Sequence, residues 1–219
     1  MTAVNITAML LAGGESRRMG RDKAMLVFRG KPLWQTQVEC LEKLHPAEIL
    51  LSARSDPAWR PGNVRFVADA APSRGPLSGL AAALDAARTP HLLALAVDIP
   101  FMTAKYLRSL CNLIEPGRGV LPVIGDRAEP LAAIYPVEAH VDLAAALRGS
   151  DSSLQSLTAS LIAAGKLRAI AVAQRERALF RNFNEPADLI YSTPSLNRSS
   201  RGSSPLSEPP RTSVRSRLG

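Results

Sequence analysis

Residues 10–26 read LLAGGESRRMGRDKAML, and this stretch decides how the chain is read. The apolar run TAMLLA (residues 7–12) stops at two glycines, and Arg17, Arg18, Asp22 and Lys23 follow before apolar character returns. The pattern is that of a buried strand running into a loop. Gly13 and Gly14 tolerate positive φ and close backbone approach, so amide hydrogens there can meet phosphate oxygens. Arg17 and Arg18 offer forked, charge-assisted hydrogen bonds, and Lys23 offers a compact charge. A polyanion is the implied ligand. The spacing from Gly14 to Gly20 is not that of a Walker A loop, no Lys-Ser/Thr follows Gly20, and no G-x-G-x-x-G occurs here. A P-loop hydrolase and a dinucleotide-dependent dehydrogenase are therefore disfavoured.

Working outward, short apolar runs alternate with helical patterns. Strands are expected at residues 6–12, 48–52 (EILLS), 64–68 (VRFVA), 91–97 (HLLALAV), 119–124, 131–135 and 169–172. Helices are expected at 32–44, 79–88, 104–114, 142–147, 154–164 and 185–190. In the first helix Leu33, Gln37, Cys40, Leu41 and Leu44 recur at helical spacing. The almost wholly apolar HLLALAV fits a central strand covered on both faces. Such alternation predicts an α/β sandwich with a mostly parallel sheet. Ligands of these sheets gather beyond the carboxyl ends of the strands. That rule gathers Gly13, Gly14, Ser52, Asp69 and Asp98 on one rim, because each follows an expected strand.

The chain has 219 residues, 46% hydrophobic and 21% charged, which is the balance of one globular domain. No apolar run approaches the ~20 residues needed to cross a bilayer, and no secretory signal is recognised. Cys40 and Cys111 form no C-x-x-C pair and read as small apolar filler on helices, in a cytoplasmic setting. The net charge of +8 invites nucleic acid as a partner. Half of that excess, however, falls beyond residue 192, where Arg198, Arg201, Arg211, Arg215 and Arg217 face only Glu208. Residues 1–192 are expected to form the domain and 193–219 a disordered Ser/Pro/Arg-rich tail. A nucleic-acid partner is disfavoured. His45, His91 and His140 converge with no carboxylate or cysteine pattern and read as structural or exposed. Trp34 and Trp59 read as packing residues.

LAGGESRRMGRDKA, followed by GKPLW, closely resembles the opening of the molybdenum cofactor guanylyltransferases, nucleotidyltransferases with a glycine-rich loop on the mostly parallel, Rossmann-like sheet of an α/β three-layer sandwich of the nucleotide-diphospho-sugar transferase type. RGPLSG (74–79) looks like that family's second glycine segment. AVDIPFMT (96–103) looks like its C-D-x-P-[FY] stretch, EPLAAIYP (129–136) its E/Q-P-L strand, and FRNFNEPADL (180–189) its N-[VI]-N-x-P ending.

The resemblance implies transfer of GMP from GTP to molybdenum–molybdopterin, with pyrophosphate released and Mg²⁺ held by Asp98. It gives Lys23 and the Gly13 and Gly14 amides to the triphosphate and Arg18 to the leaving pyrophosphate. Leu11, Ala12 and Gly13 would flank the guanine through their backbones. Ser52, Asp69, Gly75, Gly79 and Asp98 complete the nucleotide side, and Asn182 and Asn184 fall to the acceptor side and the metal environment. Asp22 would either orient Lys23 or touch substrate. The implied partners are GTP, molybdenum–molybdopterin and a receiving molybdoenzyme or its chaperone, with no membrane.

Two departures stand out. Ser52 replaces an asparagine frequent in the family, and GSDSS (149–153) replaces a G-[DE]-R-[RK] motif, so Ser152 and Ser153 supply no charge there. Cytidylyl transfer to the same cofactor, transfer to a sugar or alditol phosphate, and a non-catalytic cofactor-delivery module remain as alternatives.

Overall fold

The computed structural model describes residues 4–13, 22–69, 71 and 73–183. Its centre is β1 (Val4–Leu11), flanked in parallel by β4 (Pro46–Ala53) and β6 (His91–Ala96). β5 (Arg65–Ala68) extends one edge beside β4. On the other side come β9 (Ala132–Pro136), β7 (Gly119–Ile124) and β10 (Leu167–Ala171), giving the order β10-β7-β9-β6-β1-β4-β5. A two-residue β8 (Arg127–Ala128) pairs with β7 across the turn at Gly125, whose φ is 61°.

The expected mostly parallel sheet is observed. β9 runs antiparallel to both β6 and β7, because the chain doubles back after the β7–β8 turn instead of crossing over through a helix. A second sheet, the β2 (Val27–Phe28) and β3 (Lys31–Pro32) ribbon, was not anticipated; two-residue strands carry no periodicity to read.

Side chains alternate across the central strands and build two cores. Ala8, Leu10, Leu93 and Leu95 face the layer made by α1 (Leu33–Glu42) and α3 (Ala104–Cys111). Met9, Leu11, Leu92 and Ala94 face α2 (Pro76–Ala86), α4 (His140–Arg148) and α5 (Leu154–Ala163). Every residue of β6 is buried, as expected for a strand covered on both faces. Cys40 and Cys111 are buried on α1 and α3, and burial pushes both thiols up to about 11.

α2 starts three residues before the expected position. Gly75, at φ 65°, turns the chain, and Pro76 takes the first helical position, where no amide hydrogen is needed. The expected helix at 185–190 and the tail at 193–219 lie outside the described residues.

Candidate active site

The rim beyond β1, β4, β5 and β6 is built largely by backbone. Leu11 is in register with Ser52 and with Ala96. Just past β1, the Ala12 and Gly13 amides both donate to the Ser52 carbonyl, at 3.0 and 3.2 Å. The Val97 amide donates to Leu11 O at 3.0 Å, and that of Asp69 to Ala53 O at 3.1 Å. The Gly13 amide is thereby aimed at a carbonyl. The expectation that it holds phosphate does not fit this geometry. Glycine is required here for another reason: an added Cβ would lie 2.7 Å from Asp69 Oδ2.

Ser52 Oγ donates to Asp69 Oδ1 at 2.6 Å, joining the ends of β4 and β5. Gly79 lies inside α2 rather than at its start. A Cβ there would sit 2.5 Å from both Leu11 Cδ1 and Ser52 Oγ and 3.1 Å from Asp69 Oδ1. The space beside Gly79 is filled by protein, and α2 packs closely there behind the Ser52–Asp69 pair. Gly75 is the cap residue at the start of α2.

Lys23 lies on a 3-10 turn (Lys23–Met25), and its ammonium donates to Asp98 Oδ2 at 3.4 Å. The two side chains are 32% and 22% exposed, so the pair faces a wet cavity rather than the core. That cavity, about 110 Å³, is lined by Leu11, Ala12, Gly13, Lys23, Pro76, Ala96, Val97, Asp98 and Leu131. A second cavity of about 170 Å³ shares Ala12 and Gly13 and adds Asp22, Arg54, Ser55 and Trp59. A larger cleft of about 450 Å³ between α2 and α4 is mainly alanine-lined, with Asp85 and His140 as its ionisable groups among the described residues. The smaller cavity, and not this larger cleft, is the one lined by the Lys23–Asp98 pair.

Asp98 is not a helix cap: Thr103 Oγ1 caps α3, accepting from the Tyr106 amide at 3.3 Å. The Asp98 carbonyl accepts from the Phe183 amide at 2.7 Å. Phe183 is fully buried and meets Phe28 edge-on, so it anchors the chain that carries Asn182 beside Asp98. Asn182 is exposed next to this anchor, in a stretch that is not a strand. Gly14, Arg17, Arg18 and Asn184 lie outside the described residues.

Three residues have partners at the site that the sequence reading did not assign. Gln37, fully buried on α1, donates to Ala96 O at 3.3 Å and to Ile99 O at 2.6 Å, bracing the loop that carries Asp98. Its signal was present: a polar amide at a core position of an amphipathic helix. Trp59 Nε1 donates to Asp22 Oδ2 at 2.9 Å, a contact without any sequence signature. The Arg74 guanidinium donates to the Gly149 carbonyl, tying the start of α2 to the GSDSS segment. Within that segment Ser153 caps α5. The histidines fit their structural reading, with His91 buried in β6 and its Nε2 3.0 Å from Glu115 O.

Comparison with known proteins agrees with this architecture. Residues 8–181 match the family described as "MobA-like NTP transferase domain". The chain is 37% identical over 186 residues to the Opitutus terrae protein named "Probable molybdenum cofactor guanylyltransferase", covering 84% of this chain and 92% of that one. It is 31% identical over 194 residues to the molybdenum cofactor guanylyltransferase of Xanthomonas euvesicatoria, covering 86% and 96%. Among solved structures, molybdopterin-guanine dinucleotide biosynthesis protein A from Archaeoglobus fulgidus superposes with a TM-score of 0.68 at 22% identity, over 85% and 96% of the two chains, and shares the fold. The family match over residues 8–181, with the 37% identity to the Opitutus terrae protein over most of both chains, establishes that the chain belongs to the MobA-like NTP transferase family.

Proposed function

We propose that the chain transfers GMP from GTP to molybdenum–molybdopterin, forming the guanine dinucleotide cofactor and releasing pyrophosphate. The observation that carries this reading is the Lys23–Asp98 pair at the mouth of a cavity floored by Leu11, Ala12 and Gly13. The names of the relatives agree with it.

In this reaction a phosphate oxygen of the acceptor attacks the α-phosphorus of GTP, and the bond to the bridging oxygen of pyrophosphate breaks. Negative charge accumulates on the departing group, so a fixed cation lowers the barrier. Lys23 is assigned that role, and the family resemblance adds Arg18 to the leaving pyrophosphate. Its capped turn sets the ammonium before substrate arrives, so little reorganisation is needed during transfer.

Among the described residues no three His, Cys, Asp or Glu side chains gather into a metal site. A lone carboxylate is nevertheless a suitable protein donor for Mg²⁺, which is commonly held by one or two carboxylates with water and substrate phosphates. Asp98 would hold it, and Asn182 and Asn184 would border it. When bound, the ion would neutralise phosphate charge. Lys23 then has a second function, since its contact with Asp98 keeps that carboxylate aimed at the cavity.

Base selection is assigned to the Asp69 side of the rim. A carboxylate accepts only, which suits the N1–H and N2–H₂ donors of guanine better than the N3 acceptor of cytosine. Ser52 occupies one oxygen of Asp69 and leaves the other beside Gly13. The test is direct. Protein supplied with GTP, Mg²⁺ and molybdenum–molybdopterin should yield pyrophosphate and a product that releases GMP on acid hydrolysis. Pyrophosphate without a GMP-bearing pterin would contradict the acceptor.

A further inference from the structure

We infer that Trp59 is a positioning residue for Lys23, acting through the carboxylate of Asp22; the inference rests on the nucleotide-transfer reading of the site. Asp22 divides its two oxygens between two parts of the chain. Oδ1 accepts from the Ala24 amide at 2.9 Å and so caps the turn that carries Lys23. Oδ2 accepts from the Trp59 indole nitrogen at 2.9 Å. A bond from N–H to an ionised carboxylate is stronger than a neutral one, and the indole offers no competing acceptor.

Trp59 is itself fixed. Its ring stacks on Trp34, the second residue of α1, with centroids 5.3 Å apart and an interplanar angle of 16°. The indole N–H of Trp34 is buried and has no hydrogen-bond partner among the described residues. The two tryptophans thus differ in function: Trp34 supplies a packed face, and Trp59 presents its N–H to a charge. Trp59 also lies in the connection between β4 and β5, between Ser52 and Asp69 in the chain. Its hydrogen bond ties the segment on the base side of the rim to the turn on the triphosphate side. Both Asp22 and Trp59 line the second cavity, adjoining the one that holds Lys23 and Asp98.

Trp59→Phe keeps an aromatic ring against Trp34 and removes only the N–H. Asp22→Ser keeps an oxygen able to cap the Ala24 amide and removes the second acceptor. The probes are GTP and GMP, titrated calorimetrically with Mg²⁺ present, because Lys23 serves the β- and γ-phosphates that GMP lacks. Loss of positioning should weaken GTP roughly tenfold in either variant, as expected for a displaced charged contact, while GMP changes less than about twofold. In Lys23→Ala protein, adding Trp59→Phe should change GTP affinity by less than about twofold, since the positioned group is gone.

A merely structural tryptophan would weaken both nucleotides equally and would add its effect to that of Lys23→Ala; either result overturns the inference. So does wild-type GTP affinity in Trp59→Phe protein. If Trp59→Phe fails to fold by thermal denaturation, Asp22→Ser decides alone. Wild-type protein that prefers GTP to GMP but transfers no nucleotide contradicts the proposed function and leaves this inference to the same titrations. Equal wild-type affinity for GTP and GMP overturns both.

Discussion

Lys23 Nζ lies 3.4 Å from Asp98 Oδ2, although the two residues are 75 positions apart in the chain. One stands on the turn after the glycine-rich loop and the other just beyond the central strand β6. An ion pair this exposed contributes at most about 1 kcal/mol to stability. Its meaning lies in placing a cation and a carboxylate on one wall of a cavity. Lys23→Ala and Asp98→Ala should each lower kcat at least about a hundredfold, the scale of losing one preorganised electrostatic contact to a transition state. Urea unfolding should show each variant within about 1 kcal/mol of wild type. A fully active Asp98→Ala protein would remove the metal assignment.

Ser52 and Asp69 should govern the choice of base. Ser52→Ala removes the donor to Asp69 Oδ1 and lets that carboxylate turn, so KM for GTP should rise about tenfold, the equivalent of one hydrogen bond. Asp69→Asn replaces an acceptor-only group with one that also donates, and should narrow the difference in kcat/KM between GTP and CTP. Unchanged discrimination in both variants would place base selection elsewhere on the rim.

Two glycines should be intolerant of a methyl group for packing reasons. In Gly119→Ala the new Cβ would fall 2.0 Å from the Ile134 carbonyl oxygen, part of the neighbouring strand. In Gly79→Ala it would press on Leu11 and Ser52, whose side chains can shift. Overpacking of this kind costs about 1–3 kcal/mol, with Gly119→Ala at or above the top of that range. Chemical denaturation measures both. Gly79→Ala should also weaken GTP binding, because the methyl group displaces the Ser52–Asp69 pair; an effect on stability alone would confine Gly79 to packing.

The cysteines supply a prediction independent of the site. Burial holds both thiols near 11, so at pH 8 almost no thiolate is present and neither sulfur is accessible. Native protein should resist a thiol-specific reagent at pH 8, and both cysteines should react promptly once urea unfolds the chain. Fast labelling of native protein would show that α1 or α3 opens readily.

Much of this architecture was readable from residue pattern. HLLALAV announced a strand buried on both faces, and the double glycine marked where β1 leaves the sheet. The start of α2 was misplaced because its signal, Gly75-Pro76, is punctuation rather than periodicity. The antiparallel course of β9 is a property of strand pairing, which a single strand's sequence does not encode. At the site, the rim residues followed from their places after strands, since the backbone register carries them there. Side-chain partnerships did not follow. Asp22 with Trp59 and Gln37 with Ile99 join residues 37 and 62 positions apart, and only the folded chain brings them together. The aim of the Gly13 amide was equally hidden, being set by Ser52 on the neighbouring strand.

The measurement that bears most directly on the account is pyrophosphate release in the presence of Mg²⁺ and molybdenum–molybdopterin, with GTP, CTP, ATP and UTP supplied separately. Release with GTP alone is the predicted result, and it would show that Ser52 and the uncharged Ser152 and Ser153 are compatible with guanylyl transfer. Release with CTP in place of GTP, or no release from folded protein that binds GTP, would contradict it.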